Sequence, residues 1–155
     1  MRIISSAFDE QGEIPSLYTC QGKDISVPLS WDNVPNQTKS LVLIVDDPDA
    51  PDPKAPKMTW IHWVLYNISP TVDGLKEGMD LNNLPNGVLT GENSWKRNDY
   101  GGPCPPIGRH RYFHKLFALD IVLPDMQHPS VDKLYAAMEN HVLAKAELIG
   151  TYQKS

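Results

Sequence analysis

Three segments of the chain carry residue types that could do chemistry. The longest runs Tyr100-Gly101-Gly102-Pro103-Cys104-Pro105-Pro106-Ile107-Gly108-Arg109-His110-Arg111-Tyr112. Its glycines allow a backbone to approach a ligand closely, and its prolines remove conformational freedom, so the loop is pre-formed. Loops of this kind can aim backbone N–H groups at an anion. His110 and Tyr112 stand two residues apart, so on an extended chain they share a face and offer two side-chain donors. Imidazole, phenol and backbone N–H are the groups that a phosphate-like oxygen needs. The plain alternative is a structural hairpin with a satisfied histidine.

The second segment is Trp60-Ile61-His62-Trp63. Strand alternation points Trp60 and His62 one way and Ile61 and Trp63 the other. That would present a ring nitrogen in a pocket walled by Trp60; a core histidine bonded to backbone is the bland counterpart. The third is Asp46-Asp47-Pro48-Asp49-Ala50-Pro51-Asp52-Pro53, carboxylates crowded at the exit of the most apolar run and stiffened by prolines. It reads as a metal site, a fixed hydrogen-bond platform or a solvated turn. Together the three segments predict one shallow pocket. Asp47 would repel a dianion there, unless it accepts from a histidine N–H, meets an ammonium, or meets the O–H of a singly protonated phosphate.

Other chemistries are less well served. His62, His110 and His114 with Asp47 could ligate a metal, but four strand residues from His110 to His114 span about 13 Å. Cys104 near His110 could be a nucleophile, yet no oxyanion hole or third residue accompanies it. A hydrolase or metal-dependent enzyme is therefore the alternative reading, and no cofactor is expected. Cys20 and Cys104 are expected as unpaired thiols in a reducing compartment, with a disulfide between them as the other possibility.

The elements that must position these residues are mostly strands. The first half is broken by turn residues at the spacing of all-β proteins. Strands are predicted over Ile3–Phe8, around Tyr18, over Leu29–Trp31, Ser40–Val45, Thr59–Ile68 and Arg111–Ile121. Ser40–Val45, apolar and β-branched, should be buried on both faces. A helix is predicted after Ser130 as N-cap, with Val131, Leu134, Tyr135, Met138, Val142 and Ile149 on its inner face and Gly150 ending it. A short helix is expected around Val72–Glu77.

The chain has 155 residues, which fits one domain, 1–155, able to bury a core. Its 14 basic and 19 acidic residues give a net charge of −5, which argues against nucleic acid and against electrostatic docking on anionic lipid. The longest apolar run, Leu41–Val45, is far short of a membrane span of about 20 residues. No signal-peptide core follows Met1, so a cytoplasmic location is expected.

Asp47-Pro48-Asp49-Ala50-Pro51, Trp60-x-His62 and Gly102-Pro103-Cys104-Pro105-Pro106-x-Gly108-x-His110-Arg111-Tyr112 resemble the phosphatidylethanolamine-binding protein family, in its small bacterial and archaeal, Raf-kinase-inhibitor-like form. Lys115-Leu116-Phe117-Ala118-Leu119-Asp120 fits that branch as well. The resemblance spans about Ile3 to Ile149. It implies a two-sheet antiparallel Greek-key β-sandwich with flanking helices and a C-terminal helix. It also implies a pocket for phosphate, acetate or phosphorylethanolamine groups. Carried over, that pocket uses Asp47, Trp60, His62, Cys104, Pro105, Pro106, His110 and Tyr112, with Asp49, Ala50 and Pro51 at its rim and a cis peptide at a position such as Ala50-Pro51. The expected role is a binding or regulatory module, with a protein kinase or serine protease as a family-type target and a homodimer as a family-type assembly. The chain ends soon after the predicted helix, so the pocket gating of mammalian members by a C-terminal extension is not expected.

Overall fold

The computed structural model describes residues 1–155. In chain order the strands are β1 (Arg2–Ile4), β2 (Leu29–Asp32), β3 (Ser40–Ala50), β4 (Met58–Ile68), β5 (Gly74–Leu75), β6 (Leu89–Thr90), β7 (Arg109–Leu119) and β8 (Val142–Gln153). One α-helix, α1 (Val131–Met138), lies between the last two. The strands form two antiparallel sheets, β1-β2-β5 and β6-β4-β3-β7-β8. β7 returns by a long connection to lie beside β3, the step that defines a Greek key.

β3 is the central strand, and Leu41, Val42, Leu43 and Ile44 are fully buried. The prediction of burial on both faces holds. Leu41, Leu43 and Val45 pack with Trp63, Leu65 and Leu116 against Ile3, Leu29, Trp31 and Leu75 of the smaller sheet. On the opposite face, Val42 and Ile44 join Val64, Tyr66 and Phe117 against Leu134 and Met138 of α1. Burying each of these helix side chains contributes about 1.5–3 kcal/mol. A helix this short has little stability alone, so packing holds it. Ser130 caps it as predicted, accepting from the Lys133 N–H at 3.3 Å.

Several expected elements differ. The first strand stops at Ile4, because Ser5 Oγ donates to Pro28 O at 2.6 Å and accepts from Ala7 N at 3.0 Å, turning the chain. The strand expected near Tyr18 is a single 3₁₀ turn, Ser16–Tyr18. Val72–Glu77 is not helical. Its Val72 and Asp73 carbonyls accept from the Trp31 indole at 2.8 Å and the Trp31 backbone at 2.9 Å, and Gly74–Leu75 pairs with β2.

The largest correction is at the predicted helix. It ends at Met138, and Asn140 adopts a left-handed conformation. Val142–Gln153 is a strand paired with β7 along nearly its whole length. These residues also carry a period of two: Ala144, Ala146, Leu148 and Tyr152 face the main core. Pairing with β7 selects that period over the helical one. Gly150, expected as a helix stop, lies inside β8, where a Cβ would come 2.5 Å from Ile14 Cγ1. Ile14 is that close because residues 11–14 run along the outer side of β8. Gln11 N–H donates to Ile149 O, Ile14 N–H to Thr151 O, and Thr151 N–H to Gly12 O, at 2.7–2.8 Å.

Cys20 and Cys104 are joined in a disulfide, contrary to the expectation of free thiols. The Cys20 N–H donates to Pro103 O at 3.1 Å, which brings the two loops side by side with a Cα separation of 5.4 Å, inside the range a disulfide spans.

Candidate functional site

Two irregularities in the β3–β4 ladder shape the site. Val45 pairs with Trp63 and Asp46 with Ile61, which leaves His62 as an extra residue in a β-bulge. The bulge resets the alternation expected of this strand. Trp63 joins the main core and Ile61 the helix-side core, although they are two residues apart. His62 turns toward Gly101: its Nδ1–H donates to Gly101 O at 2.7 Å, and Gly101 N–H donates back to His62 O at 3.1 Å. The second irregularity lies between Asp47 and Ala50, so the acidic segment belongs to a kinked strand end and not to a loop. Asp47 Oδ1 accepts the Asp49 N–H at 2.7 Å across that kink.

Each of the three carboxylates in β3 has a basic partner. Asp46 accepts from Lys115 Nζ at 2.7 Å. Asp49 takes Arg111 Nε at 3.0 Å, Nη2 at 2.9 Å and the Arg111 N–H at 2.9 Å. Those bonds hold Asp49 below the ordinary carboxylate range. Asp47 Oδ2 lies 2.6 Å from His110 Nδ1. Burial pushes Asp47 up, and the His110 hydrogen bond works against that. No three His, Cys, Asp or Glu side chains come together as metal ligands.

Beside this pair the structure holds a cavity of about 320 Å³. Asp47, Ala50, Pro51, Trp60, His62, Cys104, Pro105, Pro106, His110 and Tyr112 all line it. The three distant sequence segments thus meet at one place. Asp49 does not line the cavity, since its carboxylate is committed to Arg111 behind the rim. Ala50-Pro51 is a cis peptide.

His110 does not play the part expected of it. Its Nε2 faces Ile107 O at 2.8 Å and Pro51 O at 3.2 Å, while Nδ1 faces Asp47. A carbonyl can only accept, so Nε2 carries a proton, and one more proton is shared across the Asp47 contact. The pair is neutral overall, and neither ring nitrogen is left for a ligand. Two other atoms are left. His62 Nε2 and Tyr112 Oη are buried and have no hydrogen-bond partner in the protein. Burial lowers His62 to about 4, so its ring is neutral at pH 7. Burial raises Tyr112, and the Asp47 carboxylate close to its hydroxyl adds to that. The His62 ring stands edge-on to Tyr112 and to Trp95, with centroids 5.2 and 5.1 Å apart.

The family model for phosphatidylethanolamine-binding protein matches residues 4–153. The chain belongs to this family. A relative at 49% identity is the UPF0098 protein of Methanothermobacter thermautotrophicus, matched over 99% of both chains. The crystal structure of CT736 from Chlamydia trachomatis, described as a phosphatidylethanolamine-binding protein homolog, superposes with a TM-score of 0.91 at 44% identity, covering 99% of this chain and 97% of that one. E. coli YbcL, described as a member of the mammalian family, gives 0.88 at 28% identity over 99% and 98%. The mostly β, two-sheet fold expected from the resemblance is that of these phosphatidylethanolamine-binding protein relatives.

In this member of the phosphatidylethanolamine-binding protein family, two cavity residues escaped the sequence analysis, Met58 and Trp95. Trp95 is presented by a buried asparagine: Asn93 Oδ1 accepts from the Trp95 and Arg97 N–H groups at 3.0 and 3.1 Å, and Asn93 Nδ2 donates to Asp99 O at 2.7 Å. Ser94 ties the same loop to Ile61 through two hydrogen bonds. The available signal was a lone tryptophan in a turn-rich stretch with no apolar run to belong to. Met58 sits at the mouth and carried no signal.

Proposed function

We propose that this protein is a binding module for a small ligand bearing a phosphoryl or carboxyl group, held with its oxygens against His62 and Tyr112. The observation that carries this reading is the pair of buried polar atoms without a partner, His62 Nε2 and Tyr112 Oη, on two residues that line one cavity. An unpartnered buried polar group costs about 1–3 kcal/mol, and a ligand oxygen would relieve it. The rest of the wall is largely apolar and rigid, which suits a pocket that fixes orientation with few polar groups. The volume admits a small head group with a short apolar substituent, which would rest against Trp60, Trp95 and Met58.

Binding fits the site better than the hydrolase or metal-enzyme alternative. Cys104 has its sulfur in a disulfide and offers no thiolate. Of the two cavity histidines, His110 has both nitrogens occupied, and only His62 Nε2 is free. A regulatory role toward a protein kinase or a serine protease, and a homodimer, rest on the family alone. The disulfide favours an oxidising compartment over the cytoplasm expected from the sequence. No helix is long and apolar enough to cross a membrane.

Titration of the protein with inorganic phosphate at pH 6, followed by tryptophan fluorescence from Trp60 and Trp95, tests the reading. Saturable binding is expected, about tenfold weaker in Tyr112→Phe. No saturation at millimolar ligand, or equal affinity in Tyr112→Phe and His62→Gln, would overturn it.

A further inference from the structure

The two unpartnered atoms are of opposite kinds. Gly101 O can only accept, so His62 Nδ1 carries the ring proton and Nε2 presents a lone pair. Tyr112 Oη is a hydroxyl that can donate. Of these two neighbouring groups, His62 Nε2 therefore asks for a donor, and the Tyr112 hydroxyl can serve an acceptor.

The charges around them add no free cation. From β3, Asp47 has one oxygen on the Asp49 N–H and the other on His110, and Asp49 is paired with Arg111. From β7, His110 forms a neutral pair with Asp47, and His114, held by burial at about 4, faces Leu148 O at 3.2 Å. From the loop before β7, Tyr100 donates to Tyr18 O at 2.9 Å, Arg97 stacks on Trp95 while pairing with Asp99, and Cys104 is a disulfide. Lys115 is taken by Asp46. A fully ionised phosphate or sulfate here would meet the His62 lone pair and the Asp47 side chain with no cation in its favour, only neutral donors such as the Tyr112 hydroxyl.

We infer that the cavity selects an oxyacid that still carries a proton: one ligand O–H donates to His62 Nε2, and a second ligand oxygen accepts from Tyr112 Oη. This rests on the oxyanion reading above and narrows it to singly protonated phosphate, a phosphomonoester monoanion or an undissociated carboxylic acid. Sulfate, which has the same shape and no proton at neutral pH, is rejected by its lack of a donor. His62 is then the residue that determines specificity, and Tyr112 the one that supplies general oxygen binding.

The test uses the wild-type chain with inorganic phosphate, sulfate and methyl phosphate between pH 5.5 and 8.5, read by calorimetry. Phosphate is expected to bind at least tenfold more tightly than sulfate at pH 6. Its affinity should fall about tenfold per pH unit above its own second ionisation. For methyl phosphate the fall should begin at lower pH, near the phosphomonoester value of about 6. His62→Gln, whose amide can donate as well as accept, should bring the phosphate-to-sulfate ratio towards one. Equal binding of phosphate and sulfate by the wild type would overturn the inference and leave the oxyanion reading standing. So would identical pH midpoints for phosphate and methyl phosphate, since a protein group would then be titrating. Failure of all three ligands to bind would overturn both.

Discussion

His62 and His110 border the same cavity, and both are almost wholly buried. His110 lies between a carboxylate and two carbonyl oxygens, so the protein consumes both of its nitrogens. His62 lies on a bulge and hydrogen-bonds to one carbonyl, that of Gly101, so the protein consumes one nitrogen. Residue type and cavity are alike in the two; the number of acceptors each ring bonds differs. That number turns one histidine into a strut between β3 and β7 and leaves the other as a recognition group. A histidine's role in a buried site is therefore a property of the backbone carbonyls around it, which depend on the tertiary arrangement.

The comparison can be broken most sharply at Asp47. Asp47→Ala leaves His110 Nδ1 without its partner in a dry setting, and breaking such a pair costs about 3–5 kcal/mol. Urea denaturation should show that loss; a change below about 1 kcal/mol would mean that His110 is not a strut.

A pH series sharpens it next. His62 and His114 sit at about 4 in the folded chain, against roughly 6.5 for an unfolded histidine. The unfolded state therefore takes up more protons between those values, and stability falls as pH drops from about 6.5 towards 4, by about 3 kcal/mol for each ring. Asp46 and Asp47, both raised by burial, act in the opposite sense in the lower part of that range. NMR titration of the ring protons should find His62 and His114 still neutral at pH 5, and an ordinary midpoint for His62 would contradict its burial.

Two tyrosines give a smaller contrast with opposite signs. Tyr100 Oη donates to Tyr18 O, so Tyr100→Phe should destabilise by about 1 kcal/mol. Tyr112 Oη has no partner, so Tyr112→Phe should leave the free protein equally or more stable while weakening phosphate binding. Thermal melts with and without phosphate separate the two. The smallest effect is expected at Arg111, whose side chain is half exposed: Arg111→Ala should cost at most about 1 kcal/mol and leave phosphate affinity unchanged, as calorimetry can check.

Much of the site was legible because its parts lie on strands with strong local signals. His110 and Tyr112 share a face by simple alternation, and the proline-rich wall announces itself by composition. What escaped depends on partners distant in sequence. The His62 bulge was invisible because it exists only in register with β3. Val142–Ile149 reads as helix in the sequence because both periods fit its residues, and only β7 decides between them. The disulfide depends on the Cys20–Pro103 backbone contact, which no spacing rule gives. The state of His110 depends on Ile107 O and Pro51 O, atoms present in every residue and therefore silent in a sequence.

The strap that residues 11–14 lay along β8 has a further effect. β8 is the last strand of the larger sheet, and an open edge of that length would invite another chain to pair with it. The strap closes the half of that edge near Thr151, and Lys145 and Glu147 guard the other half with charge. The protein thereby carries its own protection against edge-to-edge aggregation, in four residues that lie outside every named strand.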